Sequence, residues 1–290
     1  MTDAVFPHRH VPLEYPGGPR IAGGALELAA PLALGQRGLI IAPPRCGATS
    51  VLRMLGAGVA HHVPAAEIHV VLVDRPVEER LDWREELPSA TLHGTTSDSE
   101  DGAHAHAVAL EPFAAAASAA DNGRDVVVLI DSLASLARAL VATSTDDSGR
   151  VLDGGIPQTA LRELRRLFGQ ARARPGDEGG SLTMLATVAV ETAQELDDVV
   201  LHELVGTGNV DWRLDAEAMH TGLFPPLDIL ASGARRTELI LGEAEAERRG
   251  QMRALIDERG TVAGLGLLLD ALDMIGSLDM VLQEHVDSRR

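Results

Sequence analysis

The stretch Gly35-Gln-Arg-Gly-Leu-Ile-Ile-Ala-Pro-Pro-Arg-Cys-Gly-Ala-Thr-Ser50 has the pattern of a buried strand followed by a phosphate-binding loop. The loop pattern G-x-x-x-x-G-K-[ST] supplies backbone amides for the phosphates, a lysine for the outer phosphates and a hydroxyl for Mg²⁺. Gly47 and Thr49 fit this pattern, whereas Ala42 replaces the first glycine and Ala48 replaces the lysine. The sequence therefore predicts a nucleotide cradle without its main cation.

The missing lysine is expected to affect hydrolysis more than binding. The backbone cradle and the hydroxyl are kept, while the charge that neutralises a transferring phosphate is lost. Arg45 is an alternative cation, because a guanidinium pairs well with phosphate oxygens. The alternative, which we favour, is a loop arginine that points into solvent. The residues predicted to contact the nucleotide are Pro44, Arg45, Cys46, Gly47, Ala48, Thr49 and Ser50.

Bulk properties indicate a cytoplasmic globular protein. A chain of 290 residues can bury a large core. Its strongest apolar run, Asp125-Val-Val-Val-Leu-Ile-Asp131, is bounded by charge and far too short to span a membrane. No secretory signal is recognised. The single cysteine, Cys46, excludes an internal disulfide and fits a reducing compartment.

The net charge of −18, from 43 acidic and 25 basic residues, argues against strong RNA binding. An acidic protein repels nucleic-acid phosphates on average, so RNA would need a local basic patch. The sequence offers two candidate patches, and the first also fits a solvated helix face, the interpretation that we favour. The candidates are Arg162, Arg165 and Arg166 with Arg172 and Arg174, and the pair Arg235 and Arg236.

The chain divides into an extended N-terminal arm, residues 1–30, and one α/β domain, residues 31–290. The arm is rich in Pro, Gly and His and has little periodicity. In the domain, continuous apolar strands alternate with helices, which is typical of a mostly parallel sheet covered by helices on both faces. Strands are predicted at 38–42, 68–74, 90–93, 125–130, 181–190 and 210–214, and helices at 48–61, 78–86, 103–120, 243–259, 265–274 and 277–288.

Asp131 ends a hydrophobic strand, which is how P-loop ATPases hold Mg²⁺. With Thr49 it forms the predicted metal site, in which Asp131 acts indirectly. The alternative is that Asp131 and Ser132 cap the following helix.

These segments together resemble the ATPase domain of bacterial transcription termination factor Rho, a RecA-like hexameric RNA translocase. The matching blocks occur in the family's order and cover nearly everything after the arm. Related rotary ATP synthase subunits are a weaker match. The resemblance implies a RecA-like P-loop fold, ATP and Mg²⁺ as cofactors, and a ring. The blocks are residues 25–31, 35–44, 131–132, 136–139, 148–155, 167–169, 179–183, 186–187, 206–209, 224–225 and 232–235.

Departures from the family fall on the chemistry. The family also has alanine at Ala42 and a basic residue at Arg45, so Ala48 is the telling change in the loop. Where the family reads Asp-Glu-Arg-Pro and uses the glutamate to polarise water, this chain reads Val73-Asp74-Arg75-Pro76. Asp74 stands in for that glutamate and is one methylene shorter. A misplacement of about 1 Å can cost roughly a hundredfold in rate. Glutamates 78 and 79 are expected to enter from the wrong side.

The resemblance also assigns roles outside the loop. Of two interface arginines that reach into a neighbour's site, Arg235 is kept and Gly222 occupies the other position; such a finger is worth about 10³ or more in rate. Phe224 resembles the residue that stacks on adenine, and a core role fits it almost as well. Arg150 resembles the basic residue of the first RNA loop, whereas Glu195 aligns with a lysine of the second.

Three functions stay open. The first is a degenerate Rho-type protein that binds nucleotide without efficient hydrolysis and regulates termination by contacting a Rho ring, RNA polymerase or the termination machinery. The second is an active RNA-dependent ATPase that uses Arg45 and Asp74 or a relocated acidic residue. The third is a structural ring protein without nucleotide. Self-association and co-assembly both fit, since Rho-type subunits share sites. With only 2% aromatic residues, no RNA-loading platform is expected in the arm.

Overall fold

The computed structural model describes residues 5–96, 102–143, 156–175 and 179–289. Across these ranges one sheet of eight strands forms the centre of the molecule, and it is parallel except for the short β5 and the edge strand β8. The predicted mostly parallel α/β fold is therefore confirmed. The strands are β1 (Arg37–Ala42), β2 (Glu67–Arg75), β3 (Thr91–Thr96), β4 (Asp125–Asp131), β5 (Arg172–Ala173), β6 (Ser181–Ala189), β7 (Val210–Leu214) and β8 (Leu227–Ala234).

Helices connect and cover these strands. The predicted helical C-terminal end is present as α10 to α12. No helix within the described ranges is both long and apolar enough to cross a membrane. The helices are α1 (Arg20–Ala29), α2 (Ala48–His62), α3 (Val77–Glu86), α4 (Gly102–Asp121), α5 (Leu133–Thr143), α6 (Gln158–Phe168), α7 (Glu195–Val205), α8 (Ala216–His220), α9 (Thr237–Leu241), α10 (Glu243–Asp257), α11 (Thr261–Ile275) and α12 (Leu278–His285).

The strand order β3-β2-β4-β6-β1-β7-β8 places the carboxyl ends of six neighbouring parallel strands at one edge of the sheet. Successive side chains of β1 point to opposite faces, so Ile40 joins the core under α2 and Leu39 joins the core under α5. Each such buried aliphatic side chain contributes roughly 1.5–3 kcal/mol. Two apolar cores therefore fix the strand ends from which the loops emerge.

The predicted extended arm over residues 1–30 needs a correction. Residues Arg20–Ala29 form α1, whose side chains at i, i+4 and i+7, Ala22, Leu26 and Ala29, are all buried. The alanines favour a helix, and this spacing gives it an apolar face. The proline and glycine content of the preceding segment obscured that periodicity in the sequence.

A buried carboxylate ties α1 to the N-terminal segment and to α10. Glu27 is 3% exposed and accepts hydrogen bonds from the backbone N–H of Leu13 at 2.8 Å and from Arg249 Nη1 at 2.8 Å. His10 Nε2 lies 3.1 Å from both of its oxygens. Burial alone would raise the pKa of Glu27, but His10 and Arg249 outweigh it and lower that pKa. Glu27 is thus held as an ionised anchor.

Candidate nucleotide site

The loop between β1 and α2, residues 43–47, which we call the P-loop, has the backbone of an anion cradle. Arg45 and Gly47 both adopt left-handed conformations, with φ of 65° and 80°. Glycine takes this conformation freely, whereas an arginine does not. Gly47 is the N-cap of α2, so the first free N–H groups of that helix lie at the loop, where they favour a negative charge.

A cavity of about 720 Å³ lies in front of this loop. Its walls include Thr49 of α2, Arg75 at the end of β2, Asp131 of β4 and Glu191 just after β6. All four lie where parallel strands end, which is the usual ligand position in open α/β sheets. The predicted loop residues Pro44, Arg45, Cys46, Gly47, Ala48 and Thr49 line the same cavity. Ser50, which follows them in α2, does not belong to its lining.

Asp131 is the centre of the polar network in this cavity. It is 1% exposed, and its Oδ2 accepts from Thr49 Oγ1 at 2.7 Å. Its Oδ1 accepts from Thr187 Oγ1 at 2.7 Å and from Arg75 Nη2 at 2.6 Å. A buried carboxylate requires such pairing. The alternative capping role falls to Ser132, whose hydroxyl accepts from the Ser135 N–H at 3.4 Å.

The oxygen atoms of Thr49 and Asp131 fit a magnesium site by their chemistry, because Mg²⁺ prefers hydroxyl, carboxylate and water oxygens. The cation for the outer phosphates is what the loop lacks, since the first residue of α2 is Ala48. The arginines that line the cavity are Arg45, Arg75 and Arg138. The residues present therefore fit the phosphates and the metal, but they do not reproduce the lysine.

The structure does not bring Asp74 into the cavity. Asp74 is exposed and left-handed, with φ of 54°, and the pairing of β2 with β3 shifts register between Leu72 and Arg75. Such an irregularity redirects side chains. As a result, Arg75 rather than Asp74 reaches Asp131 from the end of β2. The contact between Arg75 and Asp131 depends on β2 and β4 being neighbours in the sheet, and this strand order could not be inferred from the sequence.

Glu79 lies on the first turn of α3, next to Arg75. Its Oε2 is 3.6 Å from Arg75 Nε, so it approaches the back of the arginine from the first turn of α3. Burial raises the pKa of Glu79, the charge of Arg75 lowers it and the charge of Asp131 raises it again. Glu79 therefore joins the site's polar network from behind Arg75 rather than from the cavity, which agrees with the expectation that it would enter from the wrong side.

Arg235 lies at the opposite edge of the sheet from the P-loop. Because β8 runs antiparallel to β7, Ala234 pairs with Val210 at the start of β7, and the exposed Arg235 follows at that amino edge. Burial lowers the pKa of Arg37 at the start of β1, and the charges of Arg172 and Arg235 lower it further. Arg235 is thus positioned away from its own cavity.

Phe224 lies against the P-loop. A Cβ atom added to Gly47 would be 3.2 Å from its ring, and the ring is 42% exposed. The structure therefore does not support the alternative that Phe224 is a core residue. An exposed aromatic ring beside the loop offers a flat apolar surface on which a base could stack.

The predicted RNA contacts have mixed outcomes. Arg150 lies outside the described residues. Glu195 begins α7, where acidic side chains complement the helix dipole. In the first basic patch, Arg166 pairs with Glu163 at 2.6 Å and Arg165 pairs with Glu203. These ion pairs support a solvated helix face there.

The fold and this cavity define the class of protein. The chain belongs to the ATP synthase alpha/beta family through its nucleotide-binding domain, which matches residues 24–234. The curated relatives are transcription termination factors Rho, one from Streptomyces coelicolor, 40% identical over 92% of this chain and 63% of the relative. Another from Allochromatium vinosum is 35% identical over the same shares, 92% and 63%. The resemblance to the Rho ATPase domain is therefore confirmed, and the chain spans less than two thirds of these relatives.

A solved structure of an ATPase from the type III secretion system of pathogenic bacteria shares the fold. Its TM-score is 0.71 at 23% identity, with 87% of this chain and 71% of that chain covered. At this identity the likeness supports the P-loop architecture alone.

Proposed function

We propose that this chain is a Rho-type ring subunit that binds nucleotide and Mg²⁺ without efficient hydrolysis and regulates transcription termination in the cytoplasm through protein contacts. The observation that carries the proposal is the composition of the cavity: Ala48 lies where the lysine would, and Asp74 lies outside. Phosphoryl transfer depends on charge neutralisation and on a positioned water. The cradle, Thr49 and Asp131 remain for binding, and bound Mg²⁺ would supply charge neutralisation beside them.

The position of Arg235 supports assembly into a ring. It is exposed at the amino edge of the sheet, while the P-loop lies at the carboxyl edge. Subunits that associate head to tail would bring one subunit's Arg235 towards its neighbour's cavity. The chain thus keeps Arg235, which would act in a neighbour's site, and lacks the lysine that would act in its own site. It could join a homo-oligomer or a hexamer of Rho.

The proposal predicts no RNA-stimulated ATP hydrolysis. The purified chain should release phosphate no faster than its Asp131→Asn variant in the presence of RNA, because the outer-phosphate cation is absent. A Rho protein assayed in parallel is the positive control. Rapid turnover by the wild-type chain would instead support the second candidate, an active ATPase in which Arg45, which lines the cavity, substitutes for the lysine and Asp74 or a relocated acidic residue activates water.

A reconstituted termination reaction tests the regulatory part. Added to Rho, RNA polymerase and a Rho-dependent template, the chain should co-purify with Rho and lower the fraction of terminated transcripts. A protein that neither binds Rho nor changes termination would reject the regulatory role. Calorimetry with Mg·ATP then separates this proposal from a structural ring protein, which would release no heat of binding.

Phe224→Ala should weaken ATP binding about tenfold, because stacking of a base on an aromatic ring is worth roughly 1–3 kcal/mol. Binding of inorganic tripolyphosphate should be unchanged, since it has no base. Both affinities can be measured by calorimetry. Phe6 is a suitable control for the Phe→Ala replacement, because it is also exposed and its ring packs against the Arg236 guanidinium. An equal loss for both ligands would contradict a base-stacking role.

A further inference from the structure

Arg75 lies between two carboxylates. It donates to Asp131 Oδ1 at 2.6 Å through Nη2 and to the Asp131 carbonyl at 3.2 Å through Nε. On its other side, Glu79 Oε2 lies 3.6 Å from the same Nε, close enough for an ion pair and too far for a hydrogen bond. A movement of a few tenths of an ångström would therefore bring Nε within hydrogen-bond range of Glu79, and a larger movement in the same direction would break the 2.6 Å bond to Asp131.

Glu79 has an unused acceptor for such a movement. Its Oε2 is buried and has no hydrogen-bond partner in the described part of the chain. A buried acceptor in this state carries an unrecovered desolvation cost. Arg53 on α2 contributes an attractive charge to Glu79 but donates no hydrogen bond to that oxygen. A hydrogen bond from Arg75 would satisfy this Glu79 oxygen.

Asp131, in contrast to Glu79, has no oxygen without a hydrogen-bond donor. Both of its oxygens are engaged, by Thr49, Thr187 and Arg75. Thr49 and Asp131 are also the oxygen donors that fit a metal, and a guanidinium held on the same carboxylate repels a second cation. Arg75 and a metal-bound nucleotide therefore compete for Asp131.

We propose that Glu79 is a positioning residue that receives Arg75 when the metal side of the cavity is filled, so that Arg75 moves from Asp131 to Glu79. Glu79 acts through Arg75 and does not touch the nucleotide. The inference rests on the proposed nucleotide binding. It makes α3 a sensor of whether the cavity holds a metal complex or a free nucleotide, because the equilibrium shifts only if the two ligands differ in their preference for the two positions.

The fluorescence emission of Trp83 can report this movement of Arg75. It lies one turn after Glu79 on α3, is 0% exposed, and the carbon of the Arg53 guanidinium is 6.0 Å from its ring centroid. The chain has two tryptophans. The other, Trp212, lies in the core and donates to the Leu26 carbonyl at 3.4 Å. A Trp212→Phe variant therefore leaves Trp83, four residues after Glu79 on the same helix, as the one indole.

The experiment compares ADP with excess Mg²⁺ and ADP with EDTA. In the Trp212→Phe chain, Mg·ADP should shift the Trp83 emission, while metal-free ADP should bind without this shift. Calorimetry on the otherwise wild-type chain provides the second measurement and does not depend on the folding of the Trp212→Phe variant. Glu79→Gln should weaken Mg·ADP about tenfold, a common size for coupling between sites. It should leave the affinity for metal-free ADP within about twofold.

Glu85→Gln is the matched control, because Glu85 is an exposed glutamate on the same helix. It should change neither affinity, and Glu79→Asp should recover part of the Mg·ADP affinity by restoring the charge. Equal weakening of both ligands by Glu79→Gln, or no weakening, overturns the role of Glu79 and leaves the proposed nucleotide binding intact. A wild-type chain that binds neither ligand overturns both proposals.

Discussion

Replacing Ala48 with lysine should tighten the binding of Mg·ATP by about 10- to 100-fold. Ala48 is the first residue of α2 and lines the cavity, so a lysine there would extend towards the phosphates. A hydrogen bond to a charged group contributes about 1.5–3 kcal/mol, which corresponds to this range of affinity. Isothermal calorimetry of the wild-type and variant chains measures the effect directly.

The control for this gain is Ala48→Met, which adds a chain of similar length without charge. Methionine should leave the affinity close to that of the wild type, since the cradle already has its backbone amides. If methionine tightens binding as much as lysine, the missing charge is not what limits the site. Turnover is expected to stay low in the lysine variant, because Asp74, which stands in for the family's glutamate, lies outside the cavity.

Replacing Glu27 with alanine should destabilise the folded chain by about 3–5 kcal/mol. The change removes one of the two carboxylate partners of the buried Arg249, which would keep only its ion pair with Glu245. It also removes the acceptor of the Leu13 N–H and of His10, so the N-terminal segment loses its attachment to α1. Urea unfolding followed by circular dichroism measures the free energy of unfolding.

The pH dependence of stability gives a second check on Glu27. Since the pKa of Glu27 is lowered in the folded state, its contribution is present above the pKa of an unfolded glutamate, about 4.3, and is lost as the pH falls through the lower folded value. Glu27→Gln should remove this acid-sensitive part of the curve. The exposed Glu258→Ala is the control and should change stability by less than about 0.5 kcal/mol. An equal effect of both would contradict the anchoring role.

Most of the fold could be predicted because its signals are local. The buried parallel strands are unbroken apolar runs, and β4 is the clearest of them. The strand β8 (Leu227–Ala234) was missed, since an antiparallel edge strand is half polar and this one contains a glycine. Helix α1 was missed because its periodicity follows a segment rich in proline and glycine.

The residues of the site differ in the same way, because some belong to local motifs and others depend on contacts between strands. The P-loop, Thr49 and Asp131 were found because each belongs to a short motif within one strand and its turn. Arg75 and Glu79 were not assigned these positions, because their contacts depend on β2 lying beside β4 and on the shifted register before Arg75. Motif reasoning therefore located the cavity but not the arginine that reaches Asp131.

In a head-to-tail assembly, the opposite placement of the P-loop and Arg235 would make the two junctions of each subunit different. A copy inserted among active subunits would have two unlike junctions, one at which it supplies Arg235 and one at which its own Ala48 site is used. Only the second junction would lose function. Its effect should then increase in steps with the number of copies per assembly, so titration against a fixed amount of active subunits should give a graded curve rather than a threshold.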